Sequence, residues 1–253
     1  LTLATMEEPK GQSEGALHRE RLKLIKSLVS KSNNLVLGQY DSYRKEEFVD
    51  KNSTTDSFFA LKLGINNARF GNVPVYIRAG KQMAAWVTEI NYVFKSEKLN
   101  DNVVTIRLQP NEGIAVKLLT KKPGFTATLE PTYMQFCYKH YFPDQTFDAY
   151  EKLLQDVFAG RHTFFNTAKE VEALWQFIDP LSKKRSKTVF YKDTFFNTAK
   201  EVEALWQFID PLSKKRSKTV FYKDGSWGPK EAFNLIERDG RRWLEPYHAF
   251  CQI

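Results

Sequence analysis

The residues best suited to handling an anionic ligand lie in VPVYIRAGK, residues 73–81, where an apolar stretch ends in Arg78, Gly80 and Lys81. Glycine lets a backbone turn and approach a ligand closely, and a lysine ammonium just past it supplies a point charge suited to a phosphate or a sugar hydroxyl. The same spacing describes a solvated turn with two cations, and spacing alone favours that plainer reading. A second segment, IRLQPNEG at 106–113, puts Arg107 and Gln109 on a strand ahead of a Pro110-Asn111 turn. None of the twelve glycines forms GxGxxG or GxxxxGK[ST], so coenzyme chemistry would have to be supplied elsewhere. No nucleophile–base constellation can be assembled, and the carboxylates carry no acid–base spacing. His18, His140, His162 and His248 lack the i, i+4 pairing of a helical metal site, and no metal is expected. Cys137 and Cys251 form no CxxC motif and no disulfide framework, and both are expected to be reduced and partly buried.

The formal charge of +8 admits nucleic acid, a membrane surface or an anionic metabolite as partner. The run KKRSK at 183–187, repeated at 214–218, contains no aromatic residue and follows a helix stop, which favours a solvated loop over a nucleic-acid contact. With 42% hydrophobic and 27% charged residues the chain can build a sizeable core. Its apolar runs are only a few residues long, far short of the roughly 18 of a membrane span. The start, LTLATMEEPKGQ, has neither a basic nor an apolar export region and does not open with Met, which suggests a cytoplasmic fragment.

These side chains must be positioned by a mixture of elements. Leu17, Leu22, Ile25 and Val29 predict a surface helix over 17–29. Runs rich in Val, Ile, Phe and Tyr predict strands near 57–65, 73–79, 87–95, 102–108, 114–120 and 132–139, arranged as one meandering, mostly antiparallel sheet. Helices return at 146–159, with Tyr150, Leu153, Leu154 and Val157 as the apolar stripe, and near 229–238, opened by Pro229 and closed before Gly240. Strands first and helices later argue for α+β rather than a wound parallel sheet.

Residues 163–193 recur without a difference at 194–224. Each copy carries a net +2, so the unduplicated chain would be +6. Two perfect copies do not make a solenoid, which needs about three units. Within the first copy, Val171, Leu174, Trp175 and Ile178 predict a helix that buries this stripe and stops at Asp179-Pro180. Val202, Leu205, Trp206 and Ile209 of the second copy then compete for the same groove.

The ordered blocks ATMEEP, GQY at 38–40, TTDSFFALKLGINNARFGNVPVYIRAGK, RLQPNEG, TKKPG, DAYEKLLQDVFAG, EVEALWQFIDPL and GSWGP resemble the carboxy-terminal domain of the glucose-6-phosphate dehydrogenases. The resemblance spans essentially the whole chain once one repeat copy is removed. It implies an α+β fold around a large, mainly antiparallel sheet that pairs with its twin in a homodimer. Residues 1–34 would be a helical segment joining a coenzyme domain, and 35–253 the carboxy-terminal domain. The implied reaction is oxidation of glucose 6-phosphate at C1 to 6-phosphogluconolactone in the pentose phosphate pathway, with NADP, or NAD in some members, accepting the hydride.

The resemblance puts Lys81 in the sugar-phosphate pocket and Gln109 as a weaker second contact. Arg78 and Arg107 look like support, or part of a second, structural NADP site. The glycine-rich coenzyme loop and the catalytic residues would lie before Leu1, so NADP would be held mainly elsewhere and this chain alone is expected to be inactive. Trp86 stands where relatives carry a second cationic substrate contact, and Gln135 replaces an acidic residue of the structural-NADP pocket. The alternative is a non-catalytic dimerisation or interaction module, with neither nucleic acid nor membrane as partner.

Overall fold

A computed structural model describes residues 1–11, 13–95, 102–143, 149–182, 220–246 and 250–251. The expected helix of the second repeat copy and both KKRSK runs lie outside these residues. The chain divides into two compact units, one made of Leu1–Ala84 and Gly160–Arg242, the other of Ala85–Ala159 and Trp243–Ile253.

The first unit holds helices α1 (Thr2–Thr5) and α2 (Glu14–Lys26), and strands β1 (Leu28–Val29), β2 (Leu35–Tyr40), β3 (Phe58–Ile65) and β4 (Val75–Gly80). In α2 the Ser13 hydroxyl accepts from Ala16 N at 3.2 Å, while Glu14 opens the helix and Lys23 and Lys26 close it, each charge complementing the helix dipole. Strand β3 is central: it pairs antiparallel with β4 on one side and with β2 and the short β1 on the other. Its Leu61, Leu63 and Ile65 share one face and form the core with Leu24 of α2 and Leu181. Leu181 lies on helix α5 (Ala168–Ser182, numbered in chain order after α3 and α4 of the second unit). Strand β9 (Val220–Tyr222) runs parallel to β2, and helix α6 (Lys230–Glu237) begins at Pro229 as expected and lies against β3.

The second unit contains β5 (Thr88–Val93), β6 (Val103–Gln109), β7 (Gly113–Lys121) and β8 (Leu129–Cys137), an antiparallel meander in chain order, with helices α3 (Tyr138–Tyr141) and α4 (Ala149–Phe158). The α+β class is thus as expected, but the strands are shared between a five-stranded and a four-stranded sheet. Just after β4 the chain makes an isolated parallel bridge between Met83 and Ser226.

Three local expectations are overturned. Helix α5 does not stop at Asp179-Pro180 but continues through Pro180 to Ser182, because Leu181 in that last turn is buried in the core. Its stripe is also rotated: Glu170, Ala173 and Leu181 are the buried positions, whereas Val171, Leu174 and Trp175 are exposed, Trp175 to 60%. In α4 the expected stripe residues Tyr150, Leu154 and Val157 are likewise exposed, and Asp156 is buried. The third correction concerns the cysteines. Cys137 and Cys251 are joined in a disulfide that ties the carboxy-terminal segment to the end of β8.

Candidate functional site

Strand β4 delivers Lys81 to a turn whose backbone is held on both sides. Lys81 N donates to Ser57 O at 2.9 Å, and the phenol of Tyr222 on β9 donates to Lys81 O at 2.6 Å. Further along, Gly225 N donates to Gln82 O at 2.8 Å and Ala84 N to Ser226 O at 3.0 Å. Phe58 is buried beneath the turn. A Cβ on Gly80 would lie 2.7 Å from its ring and one on Gly228 only 2.5 Å from it, so both positions must be glycine for the ring to fit. The Lys81 side chain is exposed, and no hydrogen bond or ion pair among the described residues engages its ammonium. Arg78, on the same strand, lies with its guanidinium 4.9 Å from the centre of the Trp227 ring.

The GQY segment serves this region from below. Gln39 is fully buried, its amide nitrogen donating to Ser53 O and Thr55 O at 3.2 and 2.8 Å, while its oxygen accepts from Arg44 Nε at 2.9 Å. These bonds fasten the loop that leads into Ser57 and Phe58.

In the second unit Arg107 and Gln109 both sit on β6. Arg107 is buried, pairs with Glu89 at 3.2 Å and lies 4.2 Å from the centre of the Phe250 ring. Gln109 is exposed at the strand end, its amide 3.4 Å from the Thr88 hydroxyl, and the following Gln109–Pro110 peptide is cis. These residues do not fit a dinucleotide. The Arg107 cation is already matched by the Glu89 carboxylate, Arg78 is stacked on an indole, and the sequence offers no glycine loop to cradle a pyrophosphate. Trp86 is exposed, with no cation in its place.

Sequence reasoning missed a buried polar cluster on α2 and α5. Thr167 and Glu170 form a capping box: the Glu170 carboxylate accepts from Thr167 N at 2.6 Å and Oγ1 at 2.9 Å, and Glu170 N donates to Thr167 Oγ1 at 3.3 Å. The same carboxylate meets Arg21 Nε at 3.0 Å and His18 Nδ1 at 3.2 Å. Burial alone would raise its pKa, but the Thr167 bonds, His18 and Arg21 together hold it below the ordinary glutamate value. The signal was available as T-x-x-E ahead of an apolar run. Tyr222 was also missed, because nothing in its spacing announces a bond to a residue so far away in sequence.

The four-stranded sheet presents two unlike faces. On one, Arg107, Val103, Ala115 and Cys137 are buried, and a Cβ on Gly113 would lie 3.2 Å from both Cys251 Sγ and Phe250. The register aligns the other face in rows: Ile90, Ile106, Ile114 and Phe136, then Tyr92, Val104, Val116 and Met134. None of these eight is buried, and Ile114 and Met134 are 39% and 56% exposed.

Among the described residues no helix is long and apolar enough to cross a membrane, and no cluster of three metal-ligating side chains occurs. Residues 1–193 and 187–244 match the family model described as "Glucose-6-phosphate dehydrogenase, C-terminal domain". The glucose-6-phosphate 1-dehydrogenase of Chlamydia pneumoniae is 34% identical over 268 aligned positions, covering 96% of this chain and 47% of that protein. That of Chlamydia trachomatis serovar D is 32% identical, covering 98% of this chain and 55% of its own length. A solved glucose-6-phosphate dehydrogenase in complex with its substrate glucose-6-phosphate shares the fold, with a TM-score of 0.75 at 23% identity over 96% of this chain and 48% of that one. The chain therefore spans about half the length of the relatives it matches.

Proposed function

Because the chain belongs to the glucose-6-phosphate dehydrogenase C-terminal domain family, we propose that it supplies the substrate-binding and dimer-forming part of a glucose-6-phosphate dehydrogenase. The observation that carries this reading is the Lys81 turn: a backbone fixed by Ser57 and Tyr222 presents an exposed ammonium at the end of β4. Lys81 binds and orients the sugar phosphate through charge. Arg78 and Arg107 support their strands through Trp227, Glu89 and Phe250.

The reaction of the family removes hydride from C1 of glucose 6-phosphate, and NADP accepts it. The chain's own residues bind and orient only. Coenzyme binding and proton abstraction fall to the part of the relatives that these residues do not span, so the 253-residue chain turns over no substrate alone. A cytoplasmic setting and a place in the pentose phosphate pathway belong to the same reading.

The test is a calorimetric titration of the chain with glucose 6-phosphate, comparing wild type with Lys81→Ala. Loss of saturable binding in the variant is the expected result; equal binding by both would remove Lys81 from the site. The second reading, a dimerisation module, is favoured by the open apolar face of the four-stranded sheet. It joins the first through a homodimer in which two such faces stack.

A further inference from the structure

We propose that Tyr222 is a positioning residue for the sugar-phosphate contact, fixing through its hydroxyl the direction in which Lys81 projects. The inference rests on the reading of Lys81 given above. Three observations carry it. The phenol donates to the Lys81 carbonyl at 2.6 Å and lies 3.4 Å from Ser57 O, the acceptor of the Lys81 amide, so one hydroxyl lies against both residues joined by the bond that anchors the turn. The side chain is only 3% exposed, its ring 5.3 Å from that of Phe58 and 6.3 Å from that of Tyr40, which leaves the hydroxyl one direction in which to point. Gly80 and Gly228 both close on the Phe58 ring, so the turn is held against the ring that Tyr222 supports.

A lysine on a loose turn spreads its ammonium over many positions, and binding a phosphate then costs the entropy of collecting them. With the peptide fixed, only the side-chain torsions remain to be ordered. Burial raises the Tyr222 pKa, so the phenol keeps its proton and remains a donor throughout the neutral range. The role is independent of the positive charge itself: phenylalanine at this position would keep the ring packing and lose only the hydroxyl.

The duplication bears on the test. Tyr191 occupies the same place in the first copy as Tyr222 in the second, so a strand drawn from the first copy would restore the hydroxyl. The double variant Tyr191→Phe/Tyr222→Phe removes it from both. Titrated with glucose 6-phosphate beside wild type and Lys81→Ala, it is expected to bind roughly tenfold more weakly than wild type while its melting temperature stays within a few degrees. A merely structural tyrosine would lower the melting temperature and leave affinity unchanged.

Unchanged affinity in the double variant, with Lys81→Ala impaired, overturns the positioning role and leaves the Lys81 reading standing. No effect of Lys81→Ala, or no saturable binding by wild type, overturns both. Should the double variant be unfolded at the assay temperature, hydrogen exchange on the wild type decides. Protection of the Lys81 amide comparable to that of Leu61 supports a held turn, and free exchange contradicts it.

Discussion

Strand β3 of the first unit buries Phe58 and Ala60 on one face and Leu61, Leu63 and Ile65 on the other, with α6 and the pair α2 and α5 as neighbours. The meander β5 to β8 of the second unit buries Val103, Arg107, Ala115 and Cys137 on one face and leaves two rows of four residues, most of them aliphatic or aromatic, partly or fully exposed on the other. A single sheet face of that size is where soluble proteins place a partner. One unit covers both faces of its central strand with its own helices, and the other leaves one sheet face without a buried residue in these two rows. Their fastenings differ as well. The first unit is locked by a buried ion pair on a helix cap, the second by a disulfide that holds the chain's end against its sheet.

Removing the first lock should have the largest effect. Glu170→Gln combined with Glu201→Gln, which also disables the twin residue, leaves the buried Arg21 without its anion and is expected to cost on the order of 3 kcal/mol in urea unfolding. The Glu170 pKa is depressed in the folded state, so its contribution is present above the unfolded value and is lost as pH falls below about 4.3. The double variant should lose that part of the acid dependence, and an unchanged acid titration would break the comparison. Cys251→Ser should cost a comparable amount, about 3 kcal/mol, and wild type in reducing agent should match it. Deleting 194–224 shortens the stretch between α5 and β9 from 37 residues to six and should raise stability by about 1.5 kcal/mol, seen as a higher melting temperature.

Much of this was legible in the sequence, and the failures share a cause. Alternation in VTEINYVF placed β5, and Pro229 and Gly240 bracketed α6, because these are local consequences of backbone geometry. The turn carrying Lys81 was read from the apolar stretch 73–77 running into Arg78, Gly80 and Lys81. Periodicity could not say which face of α5 is buried, since Val171, Leu174 and Trp175 are as apolar as any stripe. Glu170 won because its carboxylate finds Arg21 and His18 on α2, and those partners lie some 150 residues away. Pro180 could remain in the helix because Leu181 beside it joins the core. The disulfide spans 114 positions and has no local signature, and the hold of Tyr222 on Lys81 is a contact across 141.

Sedimentation equilibrium of wild type beside Ile114→Lys tests most directly whether the open sheet face is completed by a second copy. Ile114 is 39% exposed on β7, an inner strand of that sheet, so the substitution should change the stability of the single chain by no more than about 0.5 kcal/mol. The account predicts a dimeric wild type and a monomeric variant with the same melting curve when both are compared as monomers. A monomeric wild type at micromolar concentration, or a variant that still sediments as a dimer, would contradict it.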